Sequence, residues 1–299
     1  MPFFKNLSAY DDRSARLAGI GLMVLSIFMF SFGDAMGKFL VGTYSVGQLL
    51  FLRACAALLL LSPLIWTQRH QFLHLERPGL QLFRVVLSTL EVAAFFLATV
   101  YLPLADVITY YLAGPIFVTA MSAIFLGEKV GWRRWVGVLA GMAGALIIVG
   151  PVGGTFQWAL ALPLAAAFSN ALYQIATRKL RGADSPTTTI FYTGMAGTVV
   201  CTLALPFNWV TPDLTAAALM VLLGTLGGIS HFCLIRAYSA APAATVAPFG
   251  YTTLVWAAVY SLMVFGEDLR LSTIAGTIII VGSGVYIFYR EQTRSRQAS

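Results

Sequence analysis

The chain has 299 residues, 59% of them apolar and 10% charged. Soluble domains average about 45–50% apolar and about 25% charged. The composition therefore excludes an ordinary soluble enzyme, a disordered chain, a coiled coil and a disulfide-stapled module, and it indicates a polytopic membrane protein. The formal charge is +7. Its basic residues sit in short gaps between apolar runs and at both ends, without a basic run interleaved with aromatics, so no nucleic-acid partner is expected.

A span needs about 20 apolar residues. Ten segments meet that length within a few residues: 17–40, 46–67, 80–101, 104–126, 133–150, 156–178, 187–207, 214–237, 241–265 and 271–289. In lipid each backbone polar group must be satisfied within its own segment, so these segments are expected to be helices. The run from Leu17 outlasts a signal-peptide core, and no small-x-small cleavage site closes it before Asp34 and Lys38, so it reads as a retained first span. Cys55, Cys201 and Cys233 are far apart in apolar stretches, which reads as buried free thiols without metal-ligand spacing. The short gaps leave no room for a soluble module.

Basic residues orient the bundle. With the N-terminus inside, the cytoplasmic gaps hold Arg69 and Arg77; Lys129, Arg133 and Arg134; Arg178, Lys179 and Arg181; Arg236; and the tail Arg290, Arg294 and Arg296. The outer gaps contain only Arg270. This asymmetry places both termini in the cytoplasm.

The chain also repeats itself at an offset of 139 residues. Pro242 falls on Pro103, Ala244 on Ala105, Val246 on Val107, Ser261 on Ser122, Gly266-Glu267 on Gly127-Glu128 and Gly276 on Gly137. Residues 1–150 and 151–299 thus form two copies of five spans. An odd number of spans inserts the second copy upside down relative to the first. Inverted repeats of this kind place a transport site near the midplane, at the interface between the copies.

Ten spans as five plus five, with Pro-x-Ala-x-Val opening spans four and nine and Gly-Glu closing them, resemble the EamA family of the drug/metabolite transporter superfamily over nearly the whole chain. The resemblance implies an inner-membrane carrier with a cavity lined by spans 1, 3, 4, 6, 8 and 9 and with peripheral fifth and tenth spans. Its cargo would be a small metabolite. Phe-Gly-Asp-Ala-Met-Gly-Lys at residues 32–38 is closest to the uptake branch, which includes riboflavin and S-adenosylmethionine importers.

Ionisable groups at membrane depth are functional candidates by default. Glu91 sits near the middle of span three, on one face with Arg84 and Ser88. It could take a proton, bind a substrate group or neutralise an arginine. Asp34 and Lys38 stand at i, i+4 in span one, a spacing that suits an acid–base pair, while Lys38 could instead snorkel outward. Arg53, inside span two, cannot lose its charge and needs a partner, with Asp34 or Glu91 the obvious choices. His231 on span eight falls beside the Glu91 position under the repeat offset. It is either half of a titratable pair or a packing residue. On span six, Asn170, Tyr173, Gln174 and Thr177 form one polar stripe that must face protein or water. Tyr110 and Tyr111 on span four nearly mirror Phe249 and Tyr251 on span nine, with Trp256 farther on. Their rings could stack a planar ligand or simply fill a core. Gly137, Gly141 and Gly144 make a small-residue face for a neighbouring span or a second copy.

No His-Glu-x-x-His, phosphate loop or Gly-x-Ser-x-Gly occurs, so neither an enzyme nor a cofactor is expected. A membrane enzyme or a channel would be the alternative to a carrier. Within the carriers, the tyrosines and the neutral stripe favour a planar heteroaromatic substrate, riboflavin first. An S-adenosylmethionine importer with Asp34 and Glu91 facing the cation comes next, then an amino-acid or drug exporter.

Overall fold

A computed structural model describes residues 12–67, 76–127, 158–180, 209–240 and 247–269, with scattered helical residues in 132–143, 191–202 and 271–286. Its helices are α1 (Asp12–Val41), α2 (Val46–Thr67), α3 (Pro78–Tyr101), α4 (Leu104–Tyr111), α5 (Gly114–Leu126), α6 (Ala161–Lys179), α7 (Leu214–Ala240) and α8 (Thr253–Met263). 3-10 segments of one turn, Trp158–Leu160, and of two turns, Ala247–Thr252, lead into α6 and α8. No strand occurs among the described residues. Among the described residues, five helical stretches are long and apolar enough to cross a membrane, and Val46–Leu60 and Phe249–Met263 are shorter apolar helices. Spans five, seven and ten are only partly described. Gly137, Gly141, Gly144, Cys201 and Glu128 lie outside the described residues. Cys55 and Cys233 are free thiols.

The most extensive helix contacts are α1 with α7 and α3 with α6. Both pairs run antiparallel. Ser26 Oγ donates to the Ser230 carbonyl (2.8 Å), while Gly33, farther along α1, faces Leu223, earlier on α7. Under the 139-residue offset, span one matches span six and span three matches span eight, so these two contacts are copies of one another.

Glycines set the closest approaches. A Cβ on Gly224 of α7 would stand 2.4 Å from the Arg53 carbonyl oxygen and 2.8 Å from Ala56 Cβ on α2. Backbone cannot yield there, so Gly224→Ala is expected to cost about 1–3 kcal/mol or more through overpacking. A fall in the thermal unfolding midpoint of the detergent-solubilised protein, relative to Gly227→Ala, checks this. Around this contact the apolar core gathers Leu40, Leu49, Phe96, Leu104, Val107 and Met220, all nearly inaccessible.

Span four is not the single helix expected over 104–126. It stops at Tyr111, turns through Leu112 and Ala113, and restarts at Gly114 with Pro115 in its first turn. Pro lacks the N–H that would continue α4 and disfavours a helical residue before it. Span nine passes from 3-10 to α-helix at Thr253, which is the repeat position of Gly114. Both Gly127 (φ 66°) and Gly266 (φ 62°) take left-handed backbone. Only glycine adopts that conformation freely, and it terminates a helix. The paired Gly-Glu motifs are therefore helix-ending devices at equivalent points.

Candidate functional site

Glu91, half-buried on α3, is the centre of one polar group. Its Oε1 accepts the Tyr111 hydroxyl and Asn170 Nδ2 (2.6 Å). Gln174 Nε2 in turn donates to Asn170 Oδ1. Tyr111 reaches Glu91 because it ends α4 at the break in span four. The carboxylate is thus held by two neutral donors, which orient it without cancelling its charge.

The rest of the span-six stripe serves a different residue. Buried Arg84 lies two turns before Glu91, roughly 10 Å along α3. Its Nε donates to Thr177 Oγ1 (2.9 Å), and Nη1 and Nη2 reach Thr193 Oγ1 (2.8 and 2.9 Å). Nη2 also reaches the Tyr173 hydroxyl (3.3 Å), with the guanidinium 4.8 Å from that ring's centre. Arg84 binds α3 to α6 and to span seven. Asn170 and Gln174 therefore belong with Glu91, and Tyr173 and Thr177 with Arg84.

A second group faces a small cleft between α1, α2 and α7, lined by Met29, Phe30, Gly33, Asp34, Arg53, Leu223 and Gly227. Gly227 makes room for the guanidinium: a Cβ there would sit 3.7 Å from Arg53 Nη2. The guanidinium also lies over Phe96, 5.8 Å from the ring centre. Asp34, Glu91 and Tyr111 lie within electrostatic reach of Arg53. Yet no hydrogen bond or ion pair joins Arg53 to Asp34 or Glu91 among the described residues. The expected closed pair is replaced by an acid and a base that share a cleft without touching. His231, one turn beyond Gly227 on α7, stacks edge-on against Phe30 at 4.9 Å. It is exposed and makes no contact with Glu91 among the described residues.

Lys38 neither pairs with Asp34 nor snorkels free. It bonds Glu267 and donates to the Leu102 carbonyl (3.0 Å), because the turn after span nine brings a carboxylate to the end of α1. Tyr110 is 1% exposed and lies in the apolar core, since adjacent residues on α4 point to different sides and only Tyr111 faces Glu91. Trp256 meets the Phe28 ring edge-on (4.8 Å) and stacks on Tyr260 (6.5 Å) at the α1–α8 contact. Half-buried Tyr251 sits in the 3-10 turn before α8. None of these three aromatic side chains lines the charged cleft.

The sequence reading also passed over two acids. Asp106, buried in the first turn of α4, accepts the Thr273 hydroxyl, and Thr109 meets Thr277 at 3.1 Å, so span ten is tied to α4 by hydroxyls. Glu267 does more than receive Lys38. Its Oε2 accepts the Leu104 N–H and the Ser261 hydroxyl, each at 3.0 Å. Ser261 Oγ accepts the Ala105 N–H (3.0 Å). The first N–H groups of a helix lack intrahelical partners. Residues of the second half thus cap α4 of the first half. The signal was the repeated Gly-Glu, noted as a family mark but without a partner.

A membrane-embedded helical bundle with helices that change course at repeat-related points and charges facing a cleft is the architecture of a transporter. The chain belongs to the EamA-like transporter family, whose pattern matches it twice, over residues 17–150 and 157–289. It is a multi-pass membrane protein. It is similar to an S-adenosylmethionine uptake transporter of Rickettsia bellii (28% identical, 92% of this chain and 94% of that one). It is also similar to a riboflavin transporter of Vibrio cholerae (33% identical, 76% and 77%). A solved crystal structure, 18% identical, shares the fold with a TM-score of 0.60 over 92% of this chain and 96% of its own.

Proposed function

We propose that the protein is a secondary carrier of the bacterial inner membrane that imports S-adenosylmethionine. One observation carries the reading: two carboxylates, Asp34 and Glu91, and one guanidinium, Arg53, are grouped at membrane depth and are not closed into an ion pair. Two acids against one base leave a net negative site. S-adenosylmethionine has a sulfonium, an ammonium and a carboxylate, and so one net positive charge. The S-adenosylmethionine uptake relative, matched over almost its full length, supports the same cargo.

Ten spans in two inverted halves, 1–150 and 151–299, with both termini cytoplasmic, fit the charge asymmetry of the gaps and the antiparallel pairing of α1 with α7 and α3 with α6. The halves rock about the cleft, opening it to one side and then the other. Tyr111, Asn170 and Gln174 hold Glu91, while Arg53 balances one acid. Tyr173, Tyr110, Tyr251 and His231 stand outside this core of roles.

Riboflavin is the second reading, favoured by the rings Phe28, Phe32, Trp256 and Tyr260 along α1 and α8 and by the riboflavin transporter relative. Uptake of labelled S-adenosylmethionine into proteoliposomes separates them. The expected result is saturable uptake, unaffected by excess riboflavin. Saturable riboflavin uptake without S-adenosylmethionine uptake would reverse the order.

A further inference from the structure

We propose that the cleft between α1, α2 and α7 is the seat of an α-amino-acid head group, with its ammonium on Asp34 and its carboxylate on Arg53; this rests on the S-adenosylmethionine reading. The cleft holds an acid and a base on facing helices, α1 and α2, with α7 as its third wall. Opposite charges at membrane depth gain most by meeting, because the surroundings screen them little. Here they line one cavity and stay apart.

The helices that carry them are fixed by close glycine contacts. Gly224 of α7 lies against the Arg53 backbone, Gly33 of α1 faces Leu223, and Gly37 of α1 faces the Phe96 ring. The space between the charges is therefore built into the packing. The free space there now holds about one water, so the cleft widens as it takes the head group, and the zwitterion then supplies both missing partners at once. The guanidinium presents a planar fork of donors that matches a carboxylate with two bonds. Asp34, an acceptor when ionised, suits an ammonium. Phe96 beneath the guanidinium keeps it in place, and Met29 and Phe30 supply apolar walls.

The division of labour follows. Glu91 already receives two neutral donors on Oε1, and it faces α4 and α6 rather than lining this cleft. It is the acid left for the sulfonium. Gly227 becomes a specificity-determining position, because any side chain there enters the space beside Arg53.

The test uses the full chain in proteoliposomes, with labelled S-adenosylmethionine and two competitors. S-adenosylhomocysteine keeps the amino-acid head group and lacks the sulfonium charge. Methylthioadenosine lacks the head group altogether. For the wild type, the homocysteine compound is expected to compete at least about tenfold better, the ratio set by charge-assisted bonds to two buried groups. Arg53→Gln should erase that preference. If Arg53→Gln fails to reach the membrane, Gly227→Ala decides. Its added methyl stands 3.7 Å from Nη2, in ordinary contact, so the fold is kept and the preference should shrink severalfold. Equal competition by both compounds in the wild type, or a preference untouched by these substitutions, overturns the head-group site while leaving S-adenosylmethionine transport standing. Absence of S-adenosylmethionine transport removes both.

Discussion

Glu91→Gln is expected to raise the KM for S-adenosylmethionine by about 10–100-fold with normal amounts of protein in the membrane. The amide oxygen can still accept from Tyr111 and Asn170, as Glu91 Oε1 does, so the local geometry survives. What disappears is the negative charge assigned to the sulfonium of the cargo. A hydrogen bond or contact to a charged group contributes about 1.5–3 kcal/mol, which sets that range. Tyr111→Phe is the companion variant. It removes one donor and keeps the charge, so its cost should stay near 1 kcal/mol, or about fivefold. Measuring net uptake and substrate-for-substrate exchange on both variants adds a second readout. A binding role for Glu91 requires both activities to fall together in Glu91→Gln. Loss of accumulation with intact exchange would instead make Glu91 the proton-coupling residue. Equal effects of the two variants would make its role structural.

Much of this site was legible because lipid punishes exposed polarity. Asn170 and Gln174 repeat at helical spacing in an apolar segment, so they had to face protein or water; Asn170 meets Glu91 and Gln174 meets Asn170. The same rule marked Asp34 and Arg53 as one neighbourhood. It could not tell a closed pair from two charges held apart, because that depends on how closely Gly224 lets α7 approach α2. The break in span four escaped for a related reason. Hydropathy averages over some 20 residues and passes over a turn of two, although Gly114-Pro115 stood there as a local signal. Tyr110 and Tyr111 show the limit of composition. Both read as rings that could stack a ligand or fill a core, and one fills the core while the other holds the acid, a choice fixed by the phase of an eight-residue helix.

Lys38 was misassigned because sequence reasoning favours near neighbours. Asp34 stands four residues away, while the actual partner, Glu267, is 229 residues away. That partner was hidden in plain view, since the offset of 139 aligned Gly266-Glu267 with Gly127-Glu128 but said nothing of what either carboxylate would touch. The pair joins α1 to the turn after α8, and Glu267 also caps α4. Three helix ends at the predicted outer face are therefore held by one carboxylate.

Its energetics can be separated by exchange of charges. Side-chain exposures of 10% for Lys38 and 20% for Glu267 make the pair far better shielded than a surface ion pair, which is worth at most about 1 kcal/mol. Lys38→Met removes the ion pair and the bond to the Leu102 carbonyl, with an expected loss of about 1–3 kcal/mol. Glu267→Gln should cost more, because it also weakens the acceptor for Leu104 N–H and the Ser261 hydroxyl, and it leaves Lys38 without its counter-charge. The double variant should lose less than the sum, by about 0.5–3 kcal/mol, the range for residues sharing one network. The informative case is the charge swap, Lys38→Glu with Glu267→Lys. It restores opposite charges, but a lysine has no acceptor for the α4 N–H groups and places a positive charge at the positive end of the helix dipole. The swap should therefore recover less than half of the loss in thermal midpoint. Full recovery would mean that charge attraction alone holds the junction and that capping of α4 by Glu267 contributes nothing. No recovery, with an additive double variant, would mean that the ion pair is inert and that the cap alone carries the stability.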